Sequence, residues 1–215
     1  MRLFLLIISL LIPQALMAQF NSFEAGSYRL AADKTVHHEA RIKLRGSSTL
    51  IVKDAKGGTS KYTPANVLSF QLGARKFISV RDFDVEMGLA SQTIDEAFVQ
   101  LLDSGALVLM RYEFTVGGPM MVGAGGSMSG GGSSTYEVYL LRWNNELSIA
   151  HIPANRLTGG GPKFRDALVP YLRQRPDLSK LVENKQVTID NLPAIVRAFN
   201  SGQPYAAVNS TSTSD

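Results

Sequence analysis

Cysteine is absent from the 215 residues, and that removes several chemistries at once. No disulfide can staple the chain, no thiolate can serve as nucleophile, and no zinc can be held by sulfur. Lipid attachment at a cysteine behind a leader is excluded as well, so a lipoprotein is not expected. Charge is also scarce: 19% of residues are Asp, Glu, Lys or Arg, and the formal net charge is only +4. Typical domains carry about a quarter. The basic residues are scattered, with small groups at Arg41/Lys43/Arg45 and Arg173/Arg175. A nucleic-acid binder concentrates such charge in a patch, so no nucleic-acid partner is expected. Trp143 is the only tryptophan, which leaves little for an aromatic sugar platform. After residue 12 no apolar stretch approaches the length of a membrane span, about 20 residues.

What is present begins with Met1-Arg2, a short basic start, followed by the apolar run Leu3–Ile12. Pro13-Gln14 breaks that run, and Ala15-Leu16-Met17-Ala18 precedes Gln19. Basic start, apolar core and a small residue before the cut are the parts of a secretory signal peptide. Residues 1–18 are therefore expected to be removed, and the protein to be exported to the periplasm or the medium. Without disulfides the mature chain must rely on its core, for which its length is ample.

From about residue 26 to 155 the pattern is that of strands. In His38–Arg45, Ala40, Ile42 and Leu44 fall on one face and Glu39, Arg41, Lys43 and Arg45 on the other, as in a half-buried antiparallel strand. Ser48–Lys53 reads as the next strand, with Asp54-Ala55-Lys56-Gly57-Gly58 as a turn. Tyr62–Val67 reads as one helical turn capped by Thr63, with Pro64 at its first position. Leu68–Leu72 and Lys76–Val80 follow as strands around Gly73-Ala74-Arg75. Ala97–Leu102 and Ala106–Phe114 flank Asp103-Ser104-Gly105, a hairpin signal with glycine where a positive φ is wanted. Tyr136–Trp143 and Glu146–Ala150 form a last hairpin around Asn144-Asn145.

The period changes after Pro153. Phe164, Leu168, Tyr171 and Leu172 share a helical face, a second short helix starts at Pro176 through Leu178, Leu181 and Val182, and Asp190 reads as cap of a third. That third helix carries Leu192, Ile195, Val196 and Phe199 at helical spacing. The expected fold is thus β-rich (α+β): an antiparallel sandwich or open barrel over residues 19–155, followed by a small C-terminal helical segment, 156–201, packed on the sheet. Residues 202–215, ending Asn-Ser-Thr-Ser-Thr-Ser-Asp, read as a disordered tail.

Tyr62-Thr63-Pro64-Ala65-Asn66-Val67, running through Leu68–Gly73 to Arg75-Lys76-Phe77, is similar to a segment of uncharacterised exported proteins of Bacteroidetes-type bacteria. The Asp54–Gly58 turn and the helical stretches Phe164-Arg165…Tyr171-Leu172 and Ile195–Asn200 extend the resemblance over residues 26–201. It implies export and this kind of fold, and carries no catalytic residues with it.

The segment most suggestive of a role is 117–134, where eight of 18 residues are glycine. Its plainest reading is a hairpin insertion without a role. If it acts, Met120, Met121 and Met128 make an adaptable contact loop for a partner, since methionine re-packs readily. Cu(I) ligation by the same thioethers is the weaker alternative. No Gly-Lys-Ser/Thr follows the glycines, so a phosphate cradle is excluded. Asp82, Asp84 and Glu86 lie on one side of an extended run, but the spacing lacks the glycine and terminal Glu of a calcium loop. His37 and His38 point to opposite faces, and pairing either with His151 has no support in the pattern. Ser127 and Ser129 sit in the glycine-rich segment rather than on a nucleophile elbow. Gly159-Gly160-Gly161 before a helix reads as a hinge more simply than as an anion site.

No residue is thereby assigned a catalytic, cofactor-binding or metal-binding role. The expected function is non-enzymatic macromolecular binding in the cell envelope, with another envelope protein as partner. The alternatives are a hydrolase built from distant acids and a carbohydrate-active or carbohydrate-binding protein.

Overall fold

Twelve strands and three α-helices follow from these patterns in a computed structural model that describes residues 22–87, 90–117, 121–122, 128–129, 133–153 and 160–206. The leader at 1–18, Met120, most of the glycine-rich segment and residues 207–215 lie outside the described residues. The strands are β1 (Glu24–Leu30), β2 (His38–Arg45), β3 (Thr49–Lys53), β4 (Thr59–Tyr62), β5 (Val67–Leu72), β6 (Arg75–Met87), β7 (Ala90–Ser104), β8 (Leu107–Gly117), β9 (Met121–Val122), β10 (Met128–Ser129), β11 (Ser133–Trp143) and β12 (Ala150–Ile152). Ten of them form one antiparallel sheet in the order β12-β11-β8-β7-β6-β5-β1-β2-β3-β4, and β9 pairs with β10 alone. The mixed character expected from the sequence, sheet first and helices last, is what the chain adopts.

The connection between β4 and β5 shows that the sheet cannot be flat. β4 is its outer edge and β5 lies four places inward, yet only Thr63–Asn66 joins them. Strands sit about 4.8 Å apart, so a flat arrangement is out of reach of so short a turn. The β5-β1-β2-β3-β4 portion therefore rolls up, and Tyr28 of β1 meets Tyr62 of β4 across the roll at 5.7 Å between ring centroids. No ladder joins β4 to β5 among the described residues, so the roll stays open. Its interior holds Ile42, Leu50, Val52, Val67, Phe70, Leu72, Phe77 and Phe98.

A second core lies between β6–β7 and β8–β11–β12. It contains Val80, Phe83, Val85, Ala97, Val99, Met110, Tyr112 and Leu140. Asp82 adopts φ 53°, and the buried side of β6 passes there from Val80 to Phe83 and Val85. A left-handed residue inside a strand breaks strict alternation, which explains the change of parity.

The third core belongs to the helices α1 (Pro162–Leu168, continued by a 3₁₀ turn Val169–Leu172), α2 (Pro176–Glu183) and α3 (Leu192–Ser201). Phe164, Leu168, Leu172, Leu178, Val182, Leu192, Ile195, Val196 and Phe199 pack on Leu107, Leu109, Leu141 and Ile152 of the sheet. Tyr171 is only half-buried and tilts over Trp143.

Several expectations need correction. Thr63–Asn66 is a tight turn rather than a helical one: Asn66 N–H donates to Thr63 O, and the Thr63 amide and hydroxyl donate to Asn66 Oδ1. Pro64 and Asn66 serve a β-turn as well as they would a helix start. Glu146–Ile149 form no strand, and β12 begins only at Ala150. The third helix is preceded by a 3₁₀ turn capped reciprocally by Thr188 and Asn191, not by Asp190. Gly105 has no positive φ; a Cβ there would lie 2.5 Å from Asn200 Cγ. Crowding, not conformation, requires glycine at that turn.

Candidate functional site

Strands β7 and β8 begin as a hairpin, with a register shift on β7 between Leu101 and Asp103, and then part. Their ladder runs from Ser104↔Val108 to Gln100↔Arg111 and goes no further. Beyond it β7 stays with β6 as far as Met87↔Ala90, while β8 stays with β11 as far as Gly117↔Ser133. The two long hairpins thus form a fork. The cause lies in the side chains: Phe83 on one arm and Tyr112 on the other pack edge to face at 5.2 Å, with Val85 and Ile94 around them. Arms held apart by large rings cannot also share a ladder.

The β2–β3 turn enters the fork. Gly46 takes φ 60°, which lets the chain reverse tightly, and Ser47 O accepts the Phe98 N–H at 2.7 Å. Ser47 Oγ reaches Tyr112 Oη at 3.4 Å. Between this turn and the arms lies a cleft of about 850 Å³. That falls within the size range of ligand sites, about 300–1,000 Å³.

The lining has two characters. On one side Tyr112 and Phe114 line the cleft beside Val85 and Ile94, and their stack continues to Tyr136, 5.5 Å between successive centroids. On the other side Arg111, Glu113, Thr115 and Thr135 join Gln100. Arg111 donates to Gln100 Oε1 at 2.7 Å and forms ion pairs with Glu113 and Glu137, each at 3.3 Å. One guanidinium thus serves two carboxylates, which leaves the Arg111–Glu113–Glu137 cluster with net negative charge, while Lys43 of β2 also lines the cleft. The Nε of Arg111 is buried with no partner among the described residues. Arg75 and Glu24 close the far end as an ion pair at 3.3 Å, the guanidinium 5.9 Å from the Phe77 ring.

The residues singled out from sequence lie elsewhere. Met121 and Met128 belong to the paired strands β9 and β10, and Met120 is outside the described residues. Asp82, Asp84 and Glu86 are exposed; Asp84 accepts from Thr93 Oγ1 at 2.6 Å and Glu86 approaches Lys163 at 3.8 Å. His38 is half-buried against Tyr28 at 5.0 Å, and His37 is exposed beside Arg29. His151, half-buried on β12, has its pKa lowered by burial, opposed in part by the Glu86 carboxylate. Among the described residues no group of three or more His, Asp or Glu is placed to hold a metal, and no helix is long and apolar enough to cross a membrane.

Sequence reasoning missed Ser47, Gln100, Arg111, Tyr112 and Phe114 as one site. One signal was available: Arg111 is a lone charge in the apolar run Leu107–Tyr112. Comparison with known proteins finds no relative: no family model matches the chain, nor does any curated protein or solved structure.

Proposed function

We propose that this protein is an exported, non-enzymatic binding protein of the cell envelope whose ligand enters the cleft between β7 and β8. The carrying observation is the fork: two walls held apart by Phe83 and Tyr112, bounded by the Ser47 turn, and lined by apolar rings on one side and polar groups on the other. A site built on long strands is preformed, so little ordering opposes binding. The leader pattern of residues 1–18 and the resemblance to exported proteins support the compartment, periplasm or medium, and an envelope protein as partner. A sugar ligand is less favoured, because Phe114 is stacked between Tyr112 and Tyr136 and offers neither ring face.

The test is crosslinked capture of partners from native envelope and medium by three forms of the tagged protein. These are the wild type, Thr115→Trp to fill the cleft, and a deletion of residues 118–132. Thr115 is exposed on β8, so a tryptophan there occupies the cleft without entering the core. A partner held by the wild type and the deletion but lost with Thr115→Trp supports the cleft. A partner lost only with the deletion moves the site to the methionine-bearing segment and ends the present reading.

A further inference from the structure

Among the described residues the fork leaves two strand edges without a ladder partner, and their direction can be worked out from the hairpin that joins them. In a strand the main-chain N–H and C=O of alternate residues point to alternate neighbours. Ala106 O accepts from Asn144, on the β11 side, whereas the Leu107 N–H and C=O bond to the Asn200 side chain and Leu107 O also to Gly105 N, away from β11. The β8–β11 register then continues without a shift to Gly117↔Ser133. Even-numbered residues of β8 therefore bond to β11, and odd-numbered ones face β7. Arg111 meets Gln100 in the last rung of the β7–β8 ladder, as this alternation requires. Past that rung, Glu113, Thr115 and Gly117 present their main-chain groups to the open fork. On the opposite arm, Phe98 N–H also points into it, and there the chain seats a carbonyl of its own, Ser47 O.

We propose that the occupant of this cleft is an extended polypeptide segment that adds as a strand to the free edge of β8. The proposal rests on the cleft reading above and names the class of ligand. Unladdered strand edges are templates for another strand, and proteins ordinarily blunt them. Here the edge lies inside a preformed cleft, where ordinary edge-to-edge aggregation is hindered and one peptide can enter. The side chains flanking the edge specify the peptide's pattern. One side of an added strand meets Tyr112, Phe114, Val85 and Ile94, and takes apolar residues. The other meets Glu113 and Thr115, where two carboxylates share Arg111, and takes a lysine or arginine. The ligand is therefore an extended stretch of about five or six residues, alternately apolar and polar, with a basic residue opposite Glu113. At about 3.4 Å per residue this matches the unladdered length of β8, Tyr112–Gly117.

The experiment pans a display library of random linear eight-residue peptides against the purified exported protein, then follows backbone amide exchange by NMR with a selected peptide bound. Enriched peptides are expected to alternate and to carry Lys or Arg, and to lose binding to Thr115→Trp. Exchange at Glu113, Thr115 and Gly117 is expected to slow at least tenfold, while Tyr112 and Phe114, already in the β8–β11 ladder, stay within twofold. The same peptide N-methylated at alternate residues should bind at least tenfold more weakly, and Glu113→Lys should reverse the charge preference. Thr115→Pro, which removes an amide that β11 does not use, should weaken the peptide to a similar extent. Two results overturn strand addition while sparing the cleft. One is binding that depends on Thr115 but leaves the odd-numbered amides unprotected; the other is no enrichment at all while partner capture stays sensitive to Thr115→Trp. Peptides that bind Thr115→Trp as well as wild type overturn both.

Discussion

Asn200 reaches from α3 to the turn between β7 and β8 and satisfies three groups there. Its Nδ2 donates to Asp103 Oδ1 at 2.7 Å and Leu107 O at 2.8 Å, while Oδ1 accepts the Leu107 N–H at 2.9 Å. Gly105 lies under the same side chain, where a Cβ would stand 2.5 Å from Cγ and 2.7 Å from Oδ1. The two positions should therefore be coupled. Asn200→Ala strands main-chain groups of Leu107 and is expected to cost about 2–3 kcal/mol, roughly 5–10 °C in Tm. Gly105→Ala drives Asn200 off its bonds and should cost about 1–3 kcal/mol. The double variant should lose less than the two single losses together, because Asn200→Ala removes the Cγ and Oδ1 clashes and leaves only the Cβ contact at 2.8 Å. Thermal unfolding of the four proteins measures this; strictly additive losses would place the Gly105 constraint elsewhere. The sequence marks Gly105 as special, but its neighbour Asn200 lies 95 positions away, so the reason for glycine was not legible there.

At the scale of elements, the helices were the most legible part. Leu192, Ile195, Val196 and Phe199 recur at helical spacing, and all four are buried. The strand β2 was equally plain, with Ile42 fully buried and Glu39, Arg41 and Arg45 exposed. Elements of three or four residues carried too little pattern, so β4 and β12 went unread. Yet β12 has consequences, since its His151 faces the end of β6 near Glu86, itself paired with Lys163. Burial favours the neutral imidazole, so the folded pKa lies below the unfolded value of about 6.5. A depressed folded pKa means the unfolded state binds the proton first. His151 thus contributes stability that is complete above about pH 6.5 and lost as pH falls toward its folded pKa. Denaturant unfolding at pH 7.5 and pH 5.5 should show a loss that His151→Gln diminishes. An unchanged difference would mean that other groups carry the acid sensitivity.

Taken as a whole molecule, the sheet is one rolled and forked surface whose three cores are joined through shared strands. β7 shows the linkage most directly. Phe98 belongs to the core of the roll, packed edge to face on Phe70 at 5.1 Å, while Ala97 and Val99 beside it belong to the middle core. β8 continues the linkage, with Leu107 and Leu109 under the helices and Val108, Met110 and Tyr112 in the middle core. An open antiparallel barrel was among the expectations, but neither the strand order of the roll nor the fork was legible in the sequence. The roll depends on β1 entering between β5 and β2, a pairing distant along the chain, and the fork on a ladder that stops at Gln100. Such long-range registers leave no local period to read. They do predict how the protein comes apart. If each core leans on a strand whose other face builds the next, no core should survive alone. Trp143, set between Tyr171 and Phe199 at 5.8 and 5.9 Å, reports on the helical end by fluorescence. Amide exchange at Leu50 and Val52, both in the roll, reports on the other end. In urea the two should yield one midpoint and one free energy, and Phe98→Ala, a cavity in the roll, should lower both by about 3–5 kcal/mol. A fluorescence transition that stays put while Leu50 and Val52 lose protection would instead divide the chain into two units at β7, and would leave the cleft between them as a hinge rather than a fixed site.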